Sequence, residues 1–326
     1  MFWEGDYMFK AIASGELLID FNTVSTDDMG YPTLEGHPGG ATINCLATLC
    51  KFGADAAFIG KAGNDAFGKM LLHTIRELGI EINNIKLSDE AFTTLAFVTL
   101  DETGDREFSF ARKPGADLLL HFEEVDLSVF ENADVFQFGT VSMTEEPSRE
   151  TTKKLVDYAR SRKILIGYDP NLRKNLWSSL DDAREQMLWG LSRADIVKIS
   201  DEEIEFLFDL DPEAGAQRIL DLYPVRLVYA TCGAKGCYFN NRQVKGFTPA
   251  MKDLNVIDTC GAGDIFGGSA MFRFLQHEKD AAELTKEDLE DITRFATVAA
   301  GLSTQKHGGI SSIPALEDVL SVLESE

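Results

Sequence analysis

Short apolar runs alternate with amphipathic segments along the middle of the chain. Apolar stretches of strand length lie at 134–138, 164–168, 196–199 and 227–230. Between them, apolar positions recur at helical spacing around 148–162, 181–192, 201–208 and 213–222. Strands that alternate with helices form right-handed βαβ units, so this pattern predicts a parallel sheet covered by helices on both faces.

The two ends of the chain extend the same α/β pattern. The N-terminal part predicts strands at 8–14, 17–20 and 56–59, a polar, turn-rich stretch at 31–37, a helix ending at Phe52 and a helix at 67–78. Gly53 and Gly79 follow these two helices as stop signals. The C-terminal part predicts a hairpin from 236–239 and 243–247, a helix-like run at 265–272, and helices near 286–303 and 315–324.

A second, smaller β-structure is predicted between these regions. The β-rich runs 93–100 and 106–112 are joined by Asp101-Glu-Thr-Gly-Asp105, in which Gly104 supplies a turn. We expect this hairpin to combine with the 16–37 region into a small β accessory. The chain is therefore predicted to form one α/β domain over 1–326, with the accessory built from segments about 16–37 and 91–112.

Composition excludes several classes of function. The net charge of the 326-residue chain is −23 and no basic stripe interrupts it, so nucleic acid is not an expected partner. No run approaches the ~20 apolar residues that span a membrane, and the N-terminus lacks signal-peptide features, so we expect a cytoplasmic protein. The five cysteines show no CxxC spacing, which argues against a disulfide framework or a zinc site.

The strongest candidate for chemistry is Asp258-Thr-Cys-Gly-Ala-Gly-Asp264. A glycine turn that opens a helix directs free backbone N–H groups and the positive end of the helix dipole outward, which makes an anion site. Asp264 lies at the edge of this anion site, where it can take a proton from a phosphoryl acceptor. The alternative is that the aspartate only caps the helix.

A competing phosphate motif occurs at Gly63-Asn-Asp-Ala-Phe-Gly-Lys69. These residues fit the first seven positions of a P-loop, but Met70 occupies the place of the Mg²⁺-binding Ser or Thr. Asp65 also brings a negative charge into the phosphate cradle. We therefore discount the P-loop.

Further stretches can supply the other ligands of a kinase. Pro38-Gly-Gly-Ala-Thr-Ile-Asn44 places glycine backbone near a helix start, with an amide that suits a sugar hydroxyl. Thr231-Cys-Gly-Ala-Lys-Gly236 follows a parallel strand, where α/β sheets bind ligands, and Asp20 lies at a predicted strand end. A simple loop and a hairpin loop are the alternatives for the first two stretches.

Together these motifs resemble the PfkB (ribokinase-like) carbohydrate kinases, and among them the fructokinases. The first family signature is similar to Gly39-Gly-Ala-Thr-Ile-Asn44 with 60–68, and the second to Asp258-Thr-Cys-Gly-Ala-Gly-Asp-Ile-Phe266. Segments 15–20, 112–117, 169–173 and 200–203 also match, so the resemblance covers essentially the whole chain. It implies a three-layer α/β/α sandwich with a mostly parallel sheet and a small β-sheet lid.

The resemblance also implies residue roles. Asp264 is the expected base, with the N–H groups of Gly261, Ala262 and Gly263 as anion hole. The expected sugar contacts are Asp20, Gly39, Gly40, Asn44, Arg112 and Arg173, with Phe97 and Phe110 on the lid. The expected ATP contacts are Ser200, Thr231, Gly233, Ala234, Gly236 and Thr297. Glu203 and Asp169 are expected to hold Mg²⁺ through water, and Asp258 to adjoin a K⁺ site.

The sequence leaves the substrate open. We expect ATP-dependent phosphorylation of fructose at O6, and 2-keto-3-deoxygluconate is the alternative, because a bidentate Arg112 or Arg173 suits its carboxylate. Those arginines can instead pair at the surface with Asp105 or Asp169. Thr42, Ile43, Ala111, Ser200 and Thr297 depart from the family pattern, and Ala111 bears on sugar identity. A catalytically idle sugar-binding relative is the non-enzymatic alternative, and a homodimer through the lid edges is expected.

Overall fold

The computed structural model describes residues 9–100 and 106–325. Its strands are β1 Lys10–Ser14, β2 Leu18–Thr26, β3 Pro32–Gly39, β4 Asp55–Gly63, β5 Ile85–Ser88, β6 Thr94–Leu100, β7 Arg106–Ala111, β8 Val135–Gly139, β9 Leu165–Asp169, β10 Ile196–Ser200, β11 Leu227–Thr231, β12 Gly236–Asn240 and β13 Lys245–Pro249. Its α-helices are α1 Ala41–Lys51, α2 Ala66–Glu77, α3 Ser148–Ser161, α4 Leu180–Leu191, α5 Asp201–Phe208, α6 Pro212–Leu222, α7 Ala262–Gln276, α8 Lys286–Ser303 and α9 Leu316–Glu324.

The predicted parallel sheet is confirmed. Within the described ranges it has nine strands in the order β13-β12-β11-β10-β9-β8-β1-β4-β5, parallel from β11 to β5, with β12 and β13 antiparallel at one edge. Alternate side chains enter opposite cores, as the period-2 geometry of a strand requires: Ala11 and Ala13 join one core and Ile12 the other. Helices α1, α2, α7, α8 and α9 pack on the first face, and α3, α4, α5 and α6 on the second.

A small second sheet, which we call the lid, stands on this sandwich. It comprises β2, β3, β6 and β7 in the order β3-β2-β6-β7, with β2 and β6 parallel. Only residues 15–17 separate β1 from β2, so the chain passes directly from the centre of the main sheet into the lid. This short passage fixes the base of the lid beside the carboxyl ends of the main strands.

The structure corrects three details of the predicted elements. The run that was expected to end on Asp20 continues in β2 to Thr26, and the stretch 31–37, expected as turn, pairs with it as β3. The strand β5 and the short 3₁₀ segments between 116 and 130 were not predicted. Residue 8 of the predicted first strand and the predicted turn at 101–105 lie outside the described residues. No helix in the described ranges combines the length and apolarity of a membrane span.

Candidate active site

A cavity of about 720 Å³ opens between the lid and the carboxyl ends of the central strands. Residues at or just beyond the carboxyl ends of β1, β8, β9 and β10 form its floor, namely Glu16, Val141, Asn171 to Leu176 and Ser200. Ten of the sequence-predicted site residues line it: Asp20, Gly40, Asn44, Phe110, Arg173, Ser200, Glu203, Gly261, Gly263 and Asp264. The topology therefore brings the predicted base, anion hole and sugar contacts into one space.

The 258–261 turn has the backbone geometry of a helix N-terminus that faces the cavity. Gly261 is the N-cap of α7 with φ 75°, a left-handed conformation that favours glycine. A Cβ on Gly261 would also lie 2.8 Å from Cα of Gly309. Because Gly261 occupies the cap position and Asp264 lies in the first turn, the alternative that Asp264 caps α7 is wrong.

Asp258 joins this turn to the 306–309 loop. Its Oδ1 accepts from the backbone N–H of Cys260 at 2.7 Å, and its Oδ2 accepts from that of Gly308 at 3.0 Å. Its side chain is buried, and the Nδ1 atom of His307 lies 3.8 Å from Oδ2. Asp258 thus links the 258–261 turn, which carries the predicted anion hole, to the 306–309 loop.

Asp264 receives a hydrogen bond from the side chain of Asn44. The distance from Asn44 Nδ2 to Asp264 Oδ2 is 2.9 Å, which connects the first turns of α1 and α7. Burial raises the pKa of Asp264 to about 6, while Lys198 and the Asn44 hydrogen bond oppose the rise. A carboxyl with this pKa is ionised at neutral pH and is still basic enough to accept a proton from an alcohol in the transition state.

Lys198 is a functional candidate that sequence reasoning missed. It extends from β10 to the cavity wall, and its Nζ donates to Asp169 Oδ2 at 2.9 Å. Burial by itself lowers the pKa of Lys198, but the neighbouring carboxylates, Asp169 foremost, raise it above its ordinary value. The signal was available, since a lysine inside the apolar strand Ile196–Ser200 has no packing reason to be there.

The side of the cavity lined by the predicted sugar contacts, which we call the sugar side, is rich in carboxylates. Asp20 lies within β2 rather than at a strand end, and burial raises its pKa to about 7, against the opposing charge of Arg173. Glu16 Oε1 accepts from the N–H of Ala41 at 2.6 Å, at the start of α1, and burial raises the pKa of this carboxyl too. Gly39 ends β3 opposite Leu18, outside the cavity wall.

The two lid aromatics occupy opposite faces of the lid. Phe110 pairs across the sheet with Ala96 and lines the cavity. Phe97, next to Ala96 in β6, therefore has its side chain on the other face. There it stacks on Phe21 with ring centroids 5.5 Å apart, and Phe21 meets Phe67 of α2 edge-on. Of the two predicted sugar-covering residues, only Phe110 is placed to contact a sugar.

Arg112 lies behind the cavity wall, in a buried ion pair. Its Nη2 and Nε atoms donate to Asp117 Oδ2 at 2.6 and 2.9 Å. The guanidinium also donates to Thr144 Oγ1 at 2.9 Å and to the carbonyl of Val141 at 3.0 Å. The expected substrate contact of Arg112 does not match this placement, whereas Arg173 does line the cavity. The alternative partner Asp105 lies outside the described residues.

Glu203 lines the cavity, and Asp169 lies behind its wall at the end of β9, where it accepts from Lys198. Glu203 accepts from the N–H groups of Leu172 and Ser200 at 2.7 and 2.9 Å, so it shapes the floor of the cavity. Asp169 Oδ1 is buried and has no hydrogen-bond partner among the described residues. No cluster of three or more direct metal ligands occurs in the described ranges. The donors thus fit Mg²⁺ that is held through water.

Five of the six predicted nucleotide residues lie outside the cavity wall, and the sixth, Ser200, lines the cavity. The 231–236 turn joins β11 to β12, with the N–H of Cys232 bonded to the carbonyl of Gly236 at 2.8 Å. This turn, Ala262 and Thr297 of α8 lie outside the cavity wall. The 250–257 loop crosses from Lys235 to Thr304 and exposes Val256 and Ile257, two apolar side chains that sequence reasoning did not single out.

Comparisons with known proteins agree with this geometry. The model of the family described as pfkB family carbohydrate kinase matches residues 8–316. Fructokinase-1 of Oryza sativa subsp. japonica is 36% identical over 318 residues, which are 96% of this chain and 97% of the relative. Fructokinase-1 of Zea mays is 37% identical over 318 residues, with the same coverage.

Solved structures with the same fold carry the expected ligands. Fructokinase from Xylella fastidiosa with bound ATP superposes with a TM-score of 0.87 and 30% identity, over 97% of this chain and 98% of the other. A fructokinase double mutant from Vibrio cholerae O395, bound to fructose, ADP and potassium ion, gives a TM-score of 0.86 and 26% identity over 98% and 99% of the two chains. Both the fold and the resemblance inferred from the sequence are confirmed.

Proposed function

We propose that this chain, which belongs to the pfkB family of carbohydrate kinases, transfers the γ-phosphoryl group of ATP to O6 of fructose. The observation that carries the proposal is the placement of Asp264. It lies in the first turn of α7, faces the cavity and receives the Asn44 hydrogen bond at 2.9 Å. The relatives and solved structures named above, which are fructokinases, support fructose as the acceptor.

The reaction follows from this arrangement. Asp264 takes the proton from the O6 hydroxyl as the O6–P bond forms, and the bond from the γ-phosphorus to the bridging oxygen breaks, releasing ADP. The N–H groups of Gly261, Ala262 and Gly263 at the N-terminus of α7 stabilise the negative charge on the transferred group. Closure of the lid, with Phe110 on its inner face, excludes water that would compete as acceptor.

The charges around the cavity favour a neutral sugar. Glu16 and Asp20 present carboxylates to the sugar side, where they can accept hydrogen bonds from hydroxyl groups but repel a sugar acid. Arg112, the first candidate partner for a substrate carboxylate, is bonded to Asp117. These two features support fructose over 2-keto-3-deoxygluconate.

One observation favours the acid-sugar alternative. Arg173 lines the cavity beside Asp20, and its guanidinium lowers the pKa of that carboxyl against the effect of burial. A substrate carboxylate that displaced Asp20 from this cation would gain a charged partner. ADP release from ATP across fructose, 2-keto-3-deoxygluconate, ribose and tagatose separates the alternatives.

We assign ATP to the shelf formed by the 231–236 turn, the 250–257 loop and Thr297. The exposed apolar side chains of Val256 and Ile257 suit the faces of a purine, and Thr297 has a buried hydroxyl without a hydrogen-bond partner among the described residues. The shelf lies beside Ser200 and the anion-hole turn, so phosphates can extend from it into the cavity. Mg²⁺ held through water by Glu203 and Asp169 would neutralise phosphate charge there.

We also propose a K⁺ site beside Asp258. The Asp258 carboxylate links the 306–309 loop to the anion-hole turn, so a cation bound to the loop would affect the position of the turn. The potassium ion in the Vibrio cholerae structure supports this assignment. Replacing potassium by tetramethylammonium in the assay should lower kcat, and an unchanged rate would remove the site.

The lid is our proposed dimer interface. Val24, Met29, Tyr31 and Leu34 on or near β2 and β3 are 46%, 77%, 67% and 39% exposed, an apolar set that a second copy could cover. Sedimentation of the wild type against Tyr31→Asp tests this assignment, since a monomeric wild type contradicts it.

We propose a cytoplasmic location, which the free state of all five cysteines supports.

The substrate panel is the direct test of the proposed function. Fructose should give the highest kcat/KM, and 2-keto-3-deoxygluconate should be a poor acceptor. A reversed order would establish the acid-sugar kinase. If no sugar in the panel gave ADP release above the sugar-free control, the idle sugar-binding relative would be the better interpretation.

A further inference from the structure

The ammonium group of Lys198 lies against the first turn of α7. A Cβ built on Gly263 would be 3.1 Å from Lys198 Nζ and 3.7 Å from its Cε, so no side chain fits at Gly263 without displacing the lysine. Gly263 is one of the three residues whose N–H groups face the anion site. The lysine thus approaches, from the side of β10, the place where the phosphoryl group is held.

Lys198 has donor capacity beyond its ion pair. An ammonium group carries three N–H donors. Among the described residues its hydrogen-bond partner is Asp169 Oδ2, at 2.9 Å, and the lysine side chain is 13% exposed on the cavity wall. The other donors are therefore available to a group inside the cavity.

We propose that Lys198 is a catalytic residue whose ammonium group donates to an oxygen of the phosphoryl group during its transfer. This inference rests on the proposed phosphoryl transfer and adds a side-chain cation to an anion hole otherwise made of backbone N–H groups. Asp169 fixes the position of the lysine through the 2.9 Å ion pair between Asp169 Oδ2 and Lys198 Nζ. Negative charge on the migrating group is then met by a full positive charge as well as by a helix dipole.

Two other roles must be distinguished from direct contact. Lys198 also lowers the pKa of Asp264, so its loss could act only through the base. It is in addition a buried lysine paired with a carboxylate, so its loss could act only through stability. A matched control exists for the second role, since Lys61 of β4 is buried and bonds Glu124 at 2.7 Å, away from the cavity.

The first experiment compares Lys198→Met with Lys61→Met by steady-state kinetics from pH 6 to 9. Lys198→Met should lower kcat about 100-fold or more, as loss of one preorganised donor does elsewhere, with the KM for sugar changed less than about threefold. The decrease in kcat of Lys198→Met should persist at alkaline pH, where the rate no longer depends on pH. Lys61→Met should keep the wild-type kcat. A Lys198→Met kcat within about threefold of wild type, or full recovery at alkaline pH, would overturn the proposal.

A binding experiment is independent of the sugar and of turnover. The affinities of wild type and Lys198→Met for ATP and for ADP are measured by calorimetry without acceptor. Lys198→Met should lower the affinity for ATP by about tenfold and leave the affinity for ADP unchanged, because ADP lacks the γ-phosphoryl group that the lysine contacts. An equal loss of affinity for ATP and ADP, or no loss of affinity for either, would overturn the proposed contact. Lack of turnover by the wild type on the whole sugar panel would instead contradict the proposed function, and the nucleotide comparison would still decide the role of Lys198.

Discussion

The side-chain amide of Asn44 donates to the carboxylate of Asp264 at 2.9 Å, across 220 positions of sequence. This bond holds the proposed base at the cavity and connects the two sequence signatures of the family. Asn44 Oδ1 has no hydrogen-bond partner among the described residues and can accept from a sugar hydroxyl. We therefore propose that the amide contacts both the sugar and the base.

Replacing Asn44 by Leu should impair both sugar binding and the action of Asp264 as a base. We expect kcat/KM for fructose to fall about 10- to 100-fold, because a hydrogen bond to a charged group and one to the sugar are lost. The hydrogen bond lowers the pKa of Asp264, so the acid limb of the rate profile should move to higher pH. Kinetics at several pH values measure both effects, and a variant with an unmoved limb would show that the bond does not act on the base.

The rate should depend on pH through the carboxyl groups of the cavity. Burial raises the pKa of Asp264 from 3.8 to about 6 and that of Asp20 to about 7. The base must be deprotonated to act, so kcat/KM should fall by about tenfold for each pH unit below about 6. The charge of Asp264 also contributes to the raised pKa of Asp20, after the larger effect of burial. An acid limb near pH 4 would show that burial does not raise the pKa values of these carboxyl groups.

Arginine variants should separate a structural cation from a binding one. Arg112→Met leaves Asp117 buried without its partner and should lower the free energy of unfolding by about 3 kcal/mol. Its effect on KM should be equal for fructose and 2-keto-3-deoxygluconate. Arg173→Met should instead raise the KM for fructose by about tenfold, with little loss of stability.

Chemical denaturation and KM values for both sugars measure these outcomes. A selective loss of acid-sugar turnover in Arg112→Met would mean that this arginine reaches the substrate after all. A large stability loss in Arg173→Met, without a change in KM, would assign Arg173 to structure.

The ionised Asp264 carboxylate should destabilise the folded protein at neutral pH. Its folded-state pKa is raised, so its contribution to stability is full below about pH 4 and is lost as the pH rises through about 6. At pH 8 the Asp264→Asn variant should therefore be more stable than wild type, by about 1–2 kcal/mol, since the group is partly open to the cavity. Denaturation at pH 8 checks this, and a destabilised variant would show that Asp264 also holds the fold together.

The sequence predicted those parts of the fold and site that depend on local pattern. Apolar runs bounded by turn residues located the main strands, and the glycine turn before an apolar helix located Asp264. Asp20 and Phe110 were named as sugar contacts through the resemblance to the family. Each of these signals lies within a few residues of the position that it predicts.

The remaining features depend on which segments pack together. Lys198 meets Asp169 across adjacent strands, 29 positions away, and the sequence does not show that contact. The stretch 31–37 looks polar and turn-rich, yet β2 pairs with it because the lid supplies a partner strand. Arg112 and Asp117 are five positions apart, but their mutual bond depends on the burial of both.

The most direct test of the account is the activity of Asp264→Asn. Sugar-dependent ADP release is measured at saturating ATP and fructose, with Glu202→Gln, an exposed acid on the cavity rim, as control for loss of one negative charge. The account predicts a folded Asp264→Asn protein with kcat about 100- to 10,000-fold below wild type, and a Glu202→Gln variant close to wild type. Near-wild-type turnover by Asp264→Asn would contradict it.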